Sequence, residues 1–152
     1  MGAALFDLMA IFERSPELTS RLLPVLAPTD APEDIVAKAR AIVGTFGDGE
    51  RIAILGAHPR IGDSVRASEL SRQEQGSDED KRTLAELAEL NDEYERRFGF
   101  RFVVFVNGRS RSEIVPVLRE RLRRPRDQEL ATGIEQFLAI SLDRLRRAER
   151  AS

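Results

Sequence analysis

The chain carries 152 residues, 41% of them hydrophobic and 33% charged, with a formal net charge of -2, one histidine and no cysteine. That length fits one globular domain over residues 1–152, and the composition is too apolar for a disordered chain. Without cysteine there is no disulfide scaffold, thiolate metal site or cysteine nucleophile, and no apolar run reaches the roughly 18 residues of a membrane span, so a cytoplasmic protein is expected.

Helical signals dominate from the start. Leu5, Leu8, Met9 and Phe12 make residues 3–14 amphipathic, and Ser15 followed by Pro16 reads as an N-cap and first-turn proline for a second helix. Pro24, Pro28 and Pro32 break the chain before a third helix over 32–46, where Ile35, Val36, Ala39, Ile42, Val43 and Phe46 keep helical spacing; Gly47, Asp48 and Gly49 are read as its stop. Residues 51–57 (RIAILGA) are too short for periodicity to separate strand from helix, and context favours helix. An irregular stretch over 58–70 follows. Ser77 and Asp80 then open a long helix with Leu84, Leu87, Ala88, Asn91, Tyr94 and Phe98 on one side and Gly99 as its C-cap.

Phe100 to Val106 (FGFRFVVFV ends here) has the strongest strand propensity, yet a lone strand has no ladder partner, so an extended lead-in or a buried helical segment is expected. Asn107 and Gly108 form a turn pair. Ser110 and Glu113 predict a capping box for a helix to about 123, and a last helix over 127–148 turns Leu130, Ile134, Phe137, Ile140, Leu142 and Leu145 inward. The expected fold is all-α, a single-domain bundle of crossed helices.

The sole histidine, His58, stands before Pro59, which biases it out of helical geometry and stiffens the backbone that aims the imidazole. Its side chain suits proton transfer near neutrality, although a satisfied, partly buried histidine at a helix end is the plainer alternative. With no second histidine and no cysteine, a metal site would be built from carboxylates, and none is expected. No G-x-S-x-G elbow supports a serine triad. Ser71 and Glu74 have capping-box spacing, which needs no functional explanation; the functional alternative places Glu74 and Gln75 against His58, the carboxylate favouring imidazolium and the amide binding a polar planar ligand.

The ordered set AHPRIGD at 57–63, SRQEQ at 71–75, LAELNDEYERRFGFRFVVFVNG at 87–108 and I-x-x-x-R-L at Ile140, Arg144 and Leu145, preceded by FERSP at 12–16, resembles the 2-oxo-4-hydroxy-4-carboxy-5-ureidoimidazoline (OHCU) decarboxylases over nearly the whole chain. The resemblance implies an all-helical, often dimeric enzyme of purine catabolism that needs neither cofactor nor metal and converts its substrate to (S)-allantoin. It implies that His58 and Glu74 are catalytic, that Pro59, Ser71 and Gln75 line the substrate pocket, that Phe102, Val103, Val104, Phe105 and Val106 meet substrate largely through backbone, and that Arg144 binds it from the last helix. Lacking an external electron sink, such a reaction must pass the electron pair left by carbon dioxide into the substrate ring, with His58 delivering the proton. Three departures stand out: Arg101 replaces a usual proline, Gly76 a small helix former, and the segment from His58 to Ser71 is short.

A second functional class rests on charge. Residues 1–95 carry 10 basic and 19 acidic side chains, residues 96–152 carry 14 and 7, so the halves differ sharply in sign. A helical nucleic-acid-binding or regulatory module would use Arg119, Arg121, Arg123, Arg124 and Arg126; interleaved Glu113, Glu120, Asp127 and Glu129 favour a solvated helix face, the overall acidity weighs against a nucleic-acid partner, and the resemblance implies a small-molecule substrate instead. A purely structural interaction protein is the third class.

Overall fold

A computed structural model describes residues 7–62 and 78–151, and the helices it contains follow from local capping chemistry more than from propensity. Helix α1 (Leu8–Ile11) starts where Asp7 accepts the Ala10 amide at 3.2 Å. It stops well short of residue 14, because Glu13 and Arg14 both take left-handed backbone, φ 49° and 55°. Helix α2 (Pro16–Leu22) begins at the expected proline, but Ser15 makes no side-chain cap; its hydroxyl is buried without a partner among the described residues. A short 3-10 turn (Leu23–Val25) leads to α3 (Pro32–Val43), whose start is secured by the Asp34 carboxylate accepting the Ala31 amide at 3.0 Å.

The glycines after α3 play a different part from the one expected. Helix α3 ends at Val43, Phe46 tucks into the core, and Gly47 serves as N-cap of α4 (Asp48–Gly56) while Glu50 reaches back to its amide at 3.1 Å. Asp48 and Gly49 therefore begin a helix rather than end one, and RIAILGA lies in it. Helix α5 (Asp78–Phe98) buries Leu87, Asn91, Tyr94 and Phe98, leaves Leu84 half-buried and Ala88 exposed, and closes at Gly99 with φ 80° and its amide on Glu95. Ser77 lies outside the described residues.

Residues 100–106 run extended, and no strand forms among the described residues. Asn107 and Gly108 both take positive φ, closing a turn in which the Arg109 amide donates to the Val106 carbonyl at 3.1 Å. The capping box of Ser110 and Glu113 forms as spaced: Ser110 Oγ accepts the Glu113 amide at 3.2 Å and the Glu113 carboxylate accepts the Ser110 amide at 3.0 Å. Helix α6 (Arg111–Arg121) stops two residues early, and α7 (Arg126–Ala151) runs longer at both ends than predicted.

Helix α7 is the central element, packing against α1, α3 and α4, while α5 pairs with α6 and α2 with α3. It buries Leu130, Ile134, Phe137, Leu138 and Leu145; Ile140 and Leu142 are only half-buried. Gly133 lets α4 come close: a Cβ there would stand 3.0 Å from Leu55 Cδ1. The result is the all-α crossed bundle expected, and among the described residues no helix is long and apolar enough to cross a membrane.

Between α5, α6 and α7 lies a buried polar cluster. Glu129 is fully buried, accepts the Tyr94 hydroxyl at 2.5 Å and pairs with Arg121 Nε at 2.7 Å; Arg121 Nη1 donates to the Val103 carbonyl at 2.6 Å and its guanidinium lies over the Phe102 ring at 4.5 Å. Burial and the Glu129 bond push the Tyr94 phenol above its ordinary value. This cluster anchors the extended segment to the bundle.

Candidate active site

His58 sits just past the α4 C-cap, its amide donating to the Leu55 carbonyl at 3.2 Å. Its side chain turns inward and is buried, while Pro59 is exposed at the rim. Nδ1 lies 3.1 Å from the Ile54 carbonyl oxygen. A carbonyl only accepts, so the neutral ring carries its proton on Nδ1 and presents a lone pair at Nε2. That Nε2 is buried and has no partner among the described residues. The ring stands edge-on to Phe137 at 5.4 Å and 89°, and Phe137 in turn packs on Phe12 at 6.0 Å. The close approach at Gly133 and Leu55, one turn before Phe137, brings these two rings together.

Arg144 follows Phe137 by seven residues and so projects from the same face of α7. Its guanidinium is held on one side: Nη1 donates to the Ala10 and Ile11 carbonyls at 3.0 and 3.3 Å, and the Glu13 carboxylate takes Nη2 at 3.2 Å and Nη1 at 3.4 Å. Burial, first of all, pushes the His58 imidazole below its ordinary value; Glu13 and the Ile54 carbonyl pull it up, and Arg144 and Arg101 push it down. The group is therefore neutral at rest near neutrality.

The backbone of His58 is fixed from the other side. Arg101 Nη1 donates to the His58 carbonyl at 2.8 Å and to Gly56 at 3.4 Å, and its Nε pairs with Glu95 at 3.4 Å. Arg60 joins the same carboxylate at 2.9 Å and Asp92 at 2.8 Å. The replacement of a proline by Arg101 thus adds a clamp on the histidine turn.

In the extended segment, Phe102, Val103 and Val104 are buried, and Phe105 and Val106 half-buried. The Phe105 amide donates to the Gln136 side chain at 2.8 Å, tying the segment to α7 one residue before Phe137. Arg109 holds the Phe105 and Val106 carbonyls at 2.6 and 3.0 Å. A cleft of about 470 Å³ lies along Val104, Arg109, Arg121 and Gln136, and His58 is not among its lining residues.

His58, against Phe137, and the segment Phe102 to Val106, tied to Gln136, therefore both meet α7, which carries Arg144; Pro59 is exposed beside the histidine in sequence. Ser71, Glu74, Gln75 and the departure at Gly76 fall outside the described residues. Among the described residues no three His, Cys, Asp or Glu side chains gather as metal ligands would. The sequence offers no site role for Glu13 or Gln136, and it marks Phe137 only as an inward-facing residue of the last helix. The seven-residue step from Phe137 to Arg144 was the available signal for the ring. Glu13 lay in FERSP, but nothing in that motif foretold its left-handed backbone.

Of the five arginines that suggested a nucleic-acid face, four are engaged within the chain and Arg123 is exposed. Arg119 pairs with Glu86, Arg121 with Glu129, and Arg126 donates to the Phe98 carbonyl at 2.9 Å; Arg124 lies 4.0 Å from Glu129.

Fold and site together define a class of all-helical protein with a buried imidazole, its Nε2 uncommitted among the described residues, and a guanidinium held by a carboxylate and two helix-end carbonyls. The sequence model of the OHCU decarboxylase family matches residues 3–146, and the chain belongs to that family. It is 31% identical over 139 residues to a uric acid degradation bifunctional protein of Bacillus sp. (strain TB-90), covering 89% of this chain but only 28% of that relative's length. It is 26% identical over 146 residues to a 2-oxo-4-hydroxy-4-carboxy-5-ureidoimidazoline decarboxylase of Haloferax volcanii, covering 93% of this chain and 85% of that one. A crystal structure of OHCU decarboxylase in the presence of (S)-allantoin shares the fold, with a TM-score of 0.75 at 23% identity over 94% of this chain and 97% of that chain.

Proposed function

We propose that this chain decarboxylates OHCU to (S)-allantoin in urate degradation, without cofactor or metal, and that His58 moves the protons. The observation that carries this reading is the imidazole itself: Nδ1 is committed to the Ile54 carbonyl, and Nε2 is buried with its lone pair uncommitted among the described residues. The substrate's name places a hydroxyl and a carboxylate on one ring carbon. When the carboxylate leaves as carbon dioxide, its electron pair enters the ring, which takes up one proton from solvent. The hydroxyl must then give up its proton to become the product carbonyl, while a ring carbon gains one. A neutral His58 accepts the hydroxyl proton at Nε2 and, as imidazolium, delivers a proton to one face of the ring, which fixes the product's hand.

Arg144 holds an anionic group of the substrate, since a guanidinium presents paired donors to a carboxylate. Backbone groups of Phe102 to Val106 other than the Phe105 amide, which Gln136 holds, add neutral contacts, with Pro59, Ser71 and Gln75 as further substrate contacts by the family likeness, and Glu74 steadies the imidazolium as it forms. The family likeness supports a homodimer, which sedimentation at several concentrations would reveal. The absence of cysteine fits a cytoplasmic location.

The test generates the unstable intermediate in situ from urate and follows product optical activity with and without the protein. Rapid appearance of one enantiomer, lost in His58→Ala with the circular dichroism of the fold retained, supports the reading. Racemic product at the uncatalysed rate would refute it.

A further inference from the structure

We infer that Glu13 is a positioning residue for substrate recognition: it holds the Arg144 guanidinium at the His58 site, and the left-handed turn after α1 exists to bring it there. This inference rests on the proposed role of Arg144 and extends it to a residue that nothing assigned.

The backbone is the first observation. Two consecutive non-glycine residues, Glu13 and Arg14, sit at φ 49° and 55°, a region that L side chains avoid and that clusters at functional sites. Glycine would relieve both positions, yet the chain places a carboxylate on the first. The turn folds Glu13 back toward α7, where its side chain is 21% exposed and that of Arg144 34%.

The second observation is how the guanidinium is shared. Nη1 and one Nη2 proton face the end of α1 and Glu13, while Nε takes no partner among the described residues. The carboxylate and two helix-end carbonyls thus hold one side of the plane and leave the Nε edge for a ligand anion. This is the geometry of a guanidinium oriented before binding, which lowers the ordering cost when substrate arrives. Among the described residues the charged groups acting on His58 are Glu13 from the α1 turn, Arg144 from α7 and Arg101 from the segment before α6, and Glu13 is the anion of the three. Its charge therefore also offsets the two cations that disfavour the imidazolium.

The experiment compares wild type, Glu13→Gln, Glu13→Asp, Arg144→Ala and the Glu13→Gln/Arg144→Ala double variant, using OHCU made in situ. Thermal midpoints normalise for folding. Glu13→Gln should raise KM by about tenfold, the size of coupling expected between contacting charged side chains, with kcat changed far less. Removing the anion should also move the acid limb of the kcat/KM profile to lower pH. Glu13→Asp keeps the charge but not the reach, so the limb should stay in place while KM falls between wild type and Glu13→Gln. In the Arg144→Ala background Glu13→Gln should add nothing to KM. Additive effects would overturn the inference and leave the decarboxylase reading standing, as would an unchanged KM, or a lowered one, which would make Glu13 a placeholder that competes with substrate. A wild-type protein that does not accelerate loss of OHCU removes both.

Discussion

Replacing Glu129 by glutamine tests how the bundle supports its extended segment. Glu129 is fully buried and faces Arg121, itself buried, so the substitution keeps shape while removing the one formal charge that, among the described residues, lies within hydrogen-bond reach of that guanidinium. Breaking a buried pair by neutralising one partner costs about 3–5 kcal/mol, because the other charge stays in a poorly solvating interior. The glutamine oxygen still accepts from Tyr94 or Arg121, which places the expected loss near the lower end, about 3 kcal/mol. Against a total stability of roughly 5–15 kcal/mol this is a large fraction, and for a domain of this size it corresponds to a fall in Tm of about 6–12 °C. Urea unfolding followed by far-UV circular dichroism would measure it. Tyr94→Phe removes one bond to the carboxylate and should cost less, about 1.5–3 kcal/mol. Arg121→Met with Glu129→Leu removes both charges and should recover most of the loss. A Glu129→Gln protein within about 1 kcal/mol of wild type, or a double variant less stable than Glu129→Gln alone, would refute the view that an unpaired buried charge sets the cost.

Three further outcomes are expected, the first from the family likeness and the other two from the structure. Glu74→Gln should lower turnover by about 10- to 1000-fold with little change in unfolding midpoint if the carboxylate acts on His58, whereas a cap alone would lose at most about 1 kcal/mol of stability and keep its turnover from pH 5 to 9. Because burial holds the His58 imidazole below its unfolded value, the unfolded chain binds the proton first; stability should be full above the ordinary histidine range and decline as pH falls through about 6.5, and this decline should be shallower in His58→Asn when urea midpoints are compared. Gly133→Ala would press a methyl against Leu55 at 3.0 Å, so a loss of about 1–3 kcal/mol by thermal unfolding is expected, with reduced turnover as His58 shifts against Phe137.

Helix existence and the all-α class were legible because periodicity and capping are local. Ser110 with Glu113 and the Gly99 stop formed as spaced. Boundaries were less legible where the reach of one side chain decided the matter. Gly47 looked like a terminator because its conformational freedom is visible in sequence, whereas the reach of Glu50 back to its amide is not. The first helix was drawn too long because the left-handed turn at Glu13 and Arg14 is held by tertiary pairing to Arg144, which lies 131 residues from Glu13. Glu129 read as part of a solvated charge pattern; only the crossing of α5, α6 and α7 shows that its partners are buried with it. In the site, His58 and Arg144 were legible through motif order, and the tautomer was not, since it depends on where the Ile54 carbonyl points.

The placement of α7 also constrains the order in which this polypeptide can fold. Helices α1, α3 and α4 bury their apolar faces against a helix that is translated after all of them, and the cross-links that join them lie far apart in sequence: Arg40 to Glu135 spans 95 residues and Arg146 to Glu33 spans 113. Until α7 is made, these early helices lack both their apolar cover and the ion-pair partners of Arg40 and Glu33. Short helices form in microseconds, but closing loops of this length comes with the full entropy of a long chain before any contact repays it. Nascent chains should therefore stay soft and open to proteases until α7 has been made, then consolidate in one step.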